Sequence, residues 1–199
     1  MFIALAEQVL RQALYKTREP INSLTCSFIM LNPEVKAYLN SHREAHLSTL
    51  CEMLRFPSIP NVKDPDGCGP CAEWIAEHLR TLGMTAEVLP TAGQPCVFGE
   101  LHVSDDAPTL LIYCHYDVQP PDPLEEWVSG PFEPEVRDGW LYARGASDDK
   151  GQLMTHLMAV EAWTRAGGGL PINIKILAEG EEEIGSPNIE PFLREQKER

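Results

Sequence analysis

The chain has 199 residues, of which 43% are hydrophobic, which is enough apolar material for one compact core. Its net charge of −14, from 30 acidic and 16 basic residues, argues against a nucleic-acid partner, because phosphate binding depends on clustered lysine and arginine. No apolar run approaches the roughly 20 residues of a membrane span, and residues 1–15 lack the pattern of a secretory signal. These features predict a soluble, cytoplasmic protein without a membrane partner.

The first part of the chain divides into an extension and the start of a folded domain. Residues 1–29 are interpreted as an extension that is not integral to the fold, and residues 30–199 as the domain. A long helix is predicted from Asn32 to the residue before Pro57, because apolar residues recur there at helical spacing. A second helix is predicted to end at Gly83, since glycine is favoured just past a helix C-terminus.

The rest of the chain alternates between strand and helix patterns. Strands are predicted at 85–89, 96–102, 109–114, 133–137, 140–143 and 172–178, and a helix at 152–166. Asp138-Gly139 indicates a tight hairpin turn between two of these strands. A helix between core strands favours a right-handed crossover and parallel pairing. The predicted fold class is α/β, with a largely parallel mixed sheet flanked by helices.

Three acidic clusters stand at the ends or turns of predicted core elements. They are His115-Tyr116-Asp117, Asp148-Asp149-Lys150-Gly151, and the carboxylate-rich run from Glu179 to Glu183. In an open α/β sheet, strand ends bring catalytic groups together from distant parts of the sequence. Crowded carboxylates are costly unless water or cations neutralise them. Together the clusters are typical of half of a two-metal hydrolase site.

Each cluster alone also has an ordinary structural interpretation. His115 would be a surface histidine after a strand, the aspartate pair a helix N-cap, and the glutamates a solvated loop. A two-metal hydrolase needs a bridging carboxylate, further nitrogen or oxygen ligands, and a free carboxylate that accepts a proton from water. The occurrence of all three clusters in order favours the hydrolase.

Five motifs follow one another along the second half of the chain, namely His115-Tyr116-Asp117-Val118-Gln119-Pro120, Pro131-Phe132-Glu133-Pro134, Asp138-Gly139, Arg144-Gly145-Ala146-Ser147-Asp148-Asp149-Lys150-Gly151 and Glu182-Glu183-Ile184-Gly185-Ser186. Their sequences and spacing closely resemble those of the M20 metallopeptidase family, and its cytosolic non-specific dipeptidase and carnosinase branch in particular. The resemblance covers about residues 30–199 and implies the N-terminal part of a zinc-exopeptidase-like catalytic domain.

The resemblance implies a role for each candidate site residue. His115 would bind one zinc ion, Asp148 would bridge two, and Glu183 would bind the other, with Mn²⁺ or Co²⁺ as substitutes. Glu182 would be the general base that takes a proton from the attacking water, and Asp117 would orient His115. The peptide between Asp148 and its successor is expected to be cis. The implied reaction is hydrolysis of a small peptide.

The family also implies parts that this sequence does not supply. One further acidic ligand, a distant histidine and a lid or dimerisation domain are expected beyond position 199, and full-length relatives are expected to be homodimers. Ala143 replaces the usual glycine before Arg-Gly, which is a mild departure. The chain alone is therefore expected to bind zinc weakly and to hydrolyse little. An amino-acid deacylase, a desuccinylase, a carboxypeptidase and a non-catalytic fragment all remain compatible with the motifs.

A thiol redox protein is the alternative from a different class. The chain has six cysteines, and Cys68-Gly69-Pro70-Cys71 places a CxxC motif at a helix start, as in thioredoxin active sites. A polar loop precedes this motif, whereas in a thioredoxin a core strand does. Reduced, structural cysteines are therefore expected.

Overall fold

The structure is a computed structural model and describes residues 32–60 and 67–199. Its helices are α1 (Pro33–Ser41), α2 (Arg43–Leu54), α3 (Gly69–Thr81), α4 (Lys150–Ala166) and α5 (Ile189–Glu195). Its strands are β1 (Thr85–Leu89), β2 (Cys96–Leu101), β3 (Thr109–His115), β4 (Glu135–Arg137), β5 (Trp140–Tyr142) and β6 (Asn173–Glu179). The extension predicted at residues 1–29 lies outside the described residues and stays a prediction.

The single long helix predicted before Pro57 is wrong, because the chain forms two helices that meet at His42. The His42 backbone adopts φ −103° and ψ 9°, outside helical geometry. Its ring stacks on Tyr38 with centroids 3.8 Å apart, and its Nδ1 lies 2.9 Å from the Tyr38 carbonyl oxygen. The His42 backbone N–H still donates to the Tyr38 carbonyl at 3.0 Å, so this single non-helical residue separates α1 from α2. Both α1 and α2 then pack against α4.

The central sheet has the strand order β1-β2-β6-β3, and its helices confirm the expected mixed α/β fold. The β1–β2 and β2–β6 pairs are antiparallel, and β3 and β6 are parallel. The parallel register places His115 opposite Glu179, so both strands deliver the following residues to the same edge of the sheet. The β4–β5 hairpin is also observed, with Asp138 and Gly139 at φ 50° and 81°, as a two-residue hairpin turn requires.

The two faces of the central sheet are packed differently. Helices α2, α3 and α4 enclose the main core on one face, where Ile112 and Ile176 are buried. The other face carries a small cluster of Cys96, Leu177 and Phe192 beneath α5. On β3 this second face stays open, since Leu111 and Tyr113 are 55% and 50% exposed. Among the described residues, no helix combines the length and apolar character that a bilayer span requires.

Candidate metal centre

The three acidic clusters meet at one edge of the sheet, as the sequence predicted. Ligand atoms of His115, Asp148 and Glu183 lie within 4.8 Å of one another. His115 ends β3, and Glu183 lies in the short 3₁₀ turn Glu182–Ile184 that follows β6. Asp148 comes from the loop that enters α4. Parallel pairing of β3 with β6 is the reason that residues far apart in sequence converge here.

The His115 imidazole is held between carboxylates on both ring nitrogens. Nε2 lies 3.0 Å from Asp148 Oδ1 and 3.8 Å from Glu182 Oε2, and Nδ1 lies 3.3 Å from Asp117 Oδ1. A proton on Nδ1, donated to the Asp117 main-chain oxygen at 3.2 Å beside the carboxylate, leaves the Nε2 lone pair available for a metal. Burial lowers the pKa of His115, but the carboxylates of Asp117, Asp149 and Asp148 outweigh it and raise the pKa to about 9.

Asp117 contacts the glutamate turn as well as the histidine. Its side chain is fully buried, and Oδ1 and Oδ2 accept hydrogen bonds from the backbone N–H groups of Glu182 and Glu183 at 3.2 and 2.9 Å. These bonds compensate for the burial of the carboxylate. The sequence predicted only the contact with His115. In the structure, Asp117 contacts both the His115 ring and the backbone of the turn that carries Glu183.

The glutamate loop is also closed at its base by Glu179. This carboxylate is 2% exposed and accepts hydrogen bonds from the hydroxyls of Ser186, at 2.9 Å, and Tyr113. Ser186 N donates to the Glu181 carbonyl at 2.8 Å, and Gly185 has φ 88°, a conformation that glycine adopts without strain. The Gly-Ser pair at the end of the motif thus shapes the loop that presents Glu182 and Glu183.

The Asp148 loop is secured by the two residues that follow it. The Asp148–Asp149 peptide is cis, as the resemblance implied, and Asp149 Oδ2 accepts a hydrogen bond from His115 N at 3.2 Å. Lys150 is completely buried and donates to the carbonyl oxygens of Phe56 and Met53, at 2.7 and 3.4 Å. Met53 lies in the last turn of α2, and Phe56 lies two residues beyond the end of that helix. The loop is therefore anchored to the helical layer.

Gly151 is required for the chain to turn from this loop into α4. A Cβ atom at this position would lie 2.1 Å from the Ala146 carbonyl oxygen, which is closer than atoms can approach. The glycine allows the loop to close tightly under the candidate ligand Asp148. Neither this contact nor the burial of Lys150 was predicted from the sequence, although both residues belong to the second acidic cluster.

The CxxC motif lacks the features of a redox site. Cys68 and Cys71 are free and buried, at 0% and 1% exposure. Burial, reinforced by Asp117, raises the pKa of Cys68 to about 12, and burial also raises the pKa of Cys71. A thiol that exchanges disulfides needs solvent access and a lowered pKa. The structure therefore supports a structural role for these cysteines.

The donor set of the site suits a divalent cation of the zinc type. It offers one imidazole nitrogen and carboxylate oxygens, which Zn²⁺, Mn²⁺ and Co²⁺ all accept. The His115 side chain is 8% exposed, whereas those of Asp148 and Glu182 are 74% and 45% exposed. The histidine side of the centre is thus buried, whereas the side lined by Asp148 and Glu182 is open to solvent, where water or a substrate can approach.

The histidine and carboxylates lie at the ends of the parallel strands of a mixed α/β sheet, which is where open α/β folds place a ligand site, and their donor atoms suit a metal-dependent enzyme. Residues 111–199, which carry all three acidic clusters, match the profile of the family described as "Peptidase family M20/M25/M40".

The curated relatives include two kinds of hydrolase. A cysteinylglycine-S-conjugate dipeptidase of Corynebacterium striatum is 34% identical over 74% of this chain and 32% of its own length. A succinyl-diaminopimelate desuccinylase of Xylella fastidiosa is 37% identical over 67% of this chain and 33% of its own length.

Solved structures agree with the fold. An M20 family metallo-carboxypeptidase from Sulfolobus solfataricus matches with a TM-score of 0.71 and 41% identity, over 75% of this chain and 34% of that one. Human carnosine dipeptidase 1 matches with a TM-score of 0.76 and 29% identity, over 83% of this chain and 38% of that one. The chain thus spans about a third of the length of the relatives it matches.

Proposed function

We propose that the chain carries the catalytic residues of a metal-dependent peptidase that hydrolyses dipeptides at a two-zinc centre. The observation that supports this most directly is the convergence of His115, Asp148 and Glu183, whose ligand atoms lie within 4.8 Å of one another. The dipeptidase names of several relatives support the substrate class.

The proposal assigns the ligands by their positions. His115 Nε2 and Asp148 would hold one cation, and Asp148 and Glu183 the second, with Asp117 fixing the imidazole and the glutamate turn. When bound, the cations would lower the pKa of a coordinated water and polarise the substrate carbonyl. Mn²⁺ or Co²⁺ would suit the same donors.

Glu182 would act as the general base and then the general acid in amide hydrolysis. Its carboxylate is half-exposed, lies outside the ligand group, and has Oε2 3.8 Å from His115 Nε2, so it borders the open side of the centre. It would accept a proton from the attacking water and donate it to the leaving nitrogen as the carbon–nitrogen bond breaks. The products are a free carboxylate and a free amine.

Removal of an N-acyl group from an amino acid is the second candidate, supported by the 37% identity to a desuccinylase. Both reactions cleave an amide, so the same residues would serve either substrate. A carboxypeptidase specificity has similar support from a solved relative.

The proposal further includes a cytoplasmic location and a homodimer of the complete enzyme. The location is supported by the cysteines of the described residues, which form no disulfide bonds.

Metal titration tests the centre itself. We expect Zn²⁺ binding by calorimetry to weaken at least about tenfold in His115→Ala. The matched control is His102→Ala, because His102 is exposed and pairs only with Asp105 among the described residues. Equal binding by the wild type and His115→Ala would contradict the proposed centre.

Hydrolysis assays distinguish the substrate classes. Ala-Ala, carnosine and N-succinyl amino acids are compared as substrates, with Zn²⁺ or Mn²⁺ added.

A further inference from the structure

We infer that Gln119 is a positioning residue that fixes Glu183 for metal binding. Its side-chain nitrogen Nε2 donates to the Glu183 main-chain oxygen at 2.8 Å and to the Glu183 carboxylate Oε2 at 2.9 Å. A glutamine amide carries two N–H donors, so both bonds form at the same time. The inference rests on the proposed function, because it requires Glu183 to be a metal ligand.

Three hydrogen bonds hold Glu183 in place. Asp117 accepts a hydrogen bond from the Glu183 backbone N–H at 2.9 Å, while Gln119 binds the Glu183 carbonyl and carboxylate. Asp117 and Gln119 are two residues apart just after β3, and Glu183 follows β6, 64 residues from Gln119 in sequence. One short segment after β3 therefore fixes the main chain and the side chain of the same candidate ligand.

This contact has a physical consequence for metal affinity. A free glutamate side chain samples several rotamers and loses this freedom when it binds a cation. The bond from Gln119 orders the carboxylate beforehand, so less conformational entropy is lost on binding. Polar partners that orient a ligating carboxylate typically contribute about 10-fold to 100-fold to metal affinity. A neutral amide also avoids placing a further negative charge beside the carboxylates of the site.

Substitution of Gln119 leaves the core intact, because the residue is exposed. Gln119→Leu removes both hydrogen bonds at similar volume, and Gln119→Glu replaces the donors with a carboxylate facing that of Glu183. We expect Zn²⁺ affinity by calorimetry to fall at least about tenfold in Gln119→Leu, whereas in Gln119→Glu the added negative charge should attract the cation and offset part of this loss. Gln196→Leu and Gln196→Glu, at the end of α5, are the matched controls and should bind like the wild type.

A double-mutant cycle separates positioning of the ligand from general support of the loop. If Gln119 acts through the Glu183 carboxylate, Gln119→Leu should lower Zn²⁺ affinity in the wild type but change it less than twofold in a Glu183→Ala background. The melting temperature without metal should match that of the Gln196 controls. Additive losses in the cycle, or wild-type affinity in Gln119→Leu, would overturn the inference while leaving the metal centre intact. Absence of Zn²⁺ binding by the wild-type chain would overturn the proposed function and this inference together.

Discussion

The helix-covered face of the sheet and its ligand edge are built by different forces. We define the ligand edge as residues 115–119, 148–151 and 179–186. The covered face is apolar, and Ile176 and Leu157 at its centre are fully buried. The ligand edge is held by polar bonds between loops, such as those from Asp117 and Gln119. The difference indicates that folding stability and metal chemistry reside in separate parts of the domain and respond to different substitutions.

The largest effect on stability is expected from the covered face. Ile176→Ala should lower the free energy of unfolding by about 2–5 kcal/mol, because Ile176 is 0% exposed and truncation leaves a cavity. Urea unfolding measures the change, with Leu111→Ala on the open face as the control, since Leu111 is 55% exposed. Equal losses of unfolding free energy in the two variants would show that the two faces of the sheet contribute equally to stability.

The proton on His115 should dominate the pH dependence of the ligand edge. Its pKa is raised to about 9, and a metal binds only the neutral imidazole, so Zn²⁺ affinity should rise about tenfold per pH unit up to about pH 9. Without metal, the stabilisation by protonated His115 is fully present below pH 6.5 and is lost as the pH rises through about 9. Zn²⁺ titrations at several pH values, with proton release measured, check the first statement, and an affinity independent of pH would contradict it. Urea unfolding of the metal-free protein over the same pH range checks the second.

The stability contributed by His78, in helix α3, should depend on pH with the opposite sign to that contributed by His115. Burial lowers the pKa of His78, against the raising influence of Glu161 and Glu52, while His46 lowers it further. The neutral ring is thus favoured in the folded protein, so its stabilisation is present above pH 6.5 and is lost as the pH falls through the lowered pKa. Urea unfolding at pH 5 and pH 7 should show this loss for the wild type, and a smaller one for His78→Phe.

A glycine substitution at the ligand edge should have an intermediate effect on stability. Gly151→Ala should cost about 1–3 kcal/mol, because the new methyl group would collide with the Ala146 carbonyl oxygen. Gly69→Ala is the matched control, since a Cβ there meets no atom within 4 Å. Thermal unfolding compares the two variants. If Gly151→Ala is as stable as Gly69→Ala, the close approach of the loop to α4 is not present in solution.

The smallest effect on metal binding is expected at the proposed base. Glu182→Gln should leave Zn²⁺ affinity within about twofold of the wild type while removing hydrolysis, because Glu182 lies outside the ligand group. Calorimetry and a peptide hydrolysis assay on the same samples separate the two properties. A collapse of affinity would instead make Glu182 a ligand and shift the assignment by one residue.

Local chemistry made much of the fold predictable from sequence. The Asp138-Gly139 hairpin follows from the backbone angles that these two residue types tolerate. Convergence of the ligands was predictable because strand-end clusters and a parallel pair together fix the edge on which they lie.

The features that the sequence did not predict depend on contacts that no local sequence pattern reports. The break at His42, whose ring stacks on Tyr38, is a departure at a single residue that no periodicity reports. Gln119 is an exposed glutamine, and only the fold brings it to Glu183. The contact of Asp117 with the glutamate turn is likewise invisible in sequence, because its partners are backbone amides.

The buried cysteines have a spectroscopic consequence. Cys68, Cys71, Cys96 and Cys114 are buried in the folded chain, and burial raises the pKa of each. These thiols stay protonated near neutral pH and do not compete for a soft cation. Cobalt added to the folded protein should therefore show weak visible bands from nitrogen and oxygen donors. In a variant whose other two cysteines, Cys26 and Cys51, are replaced by serine, a strong near-ultraviolet band from sulfur-to-cobalt charge transfer would instead report exposure of these buried thiols.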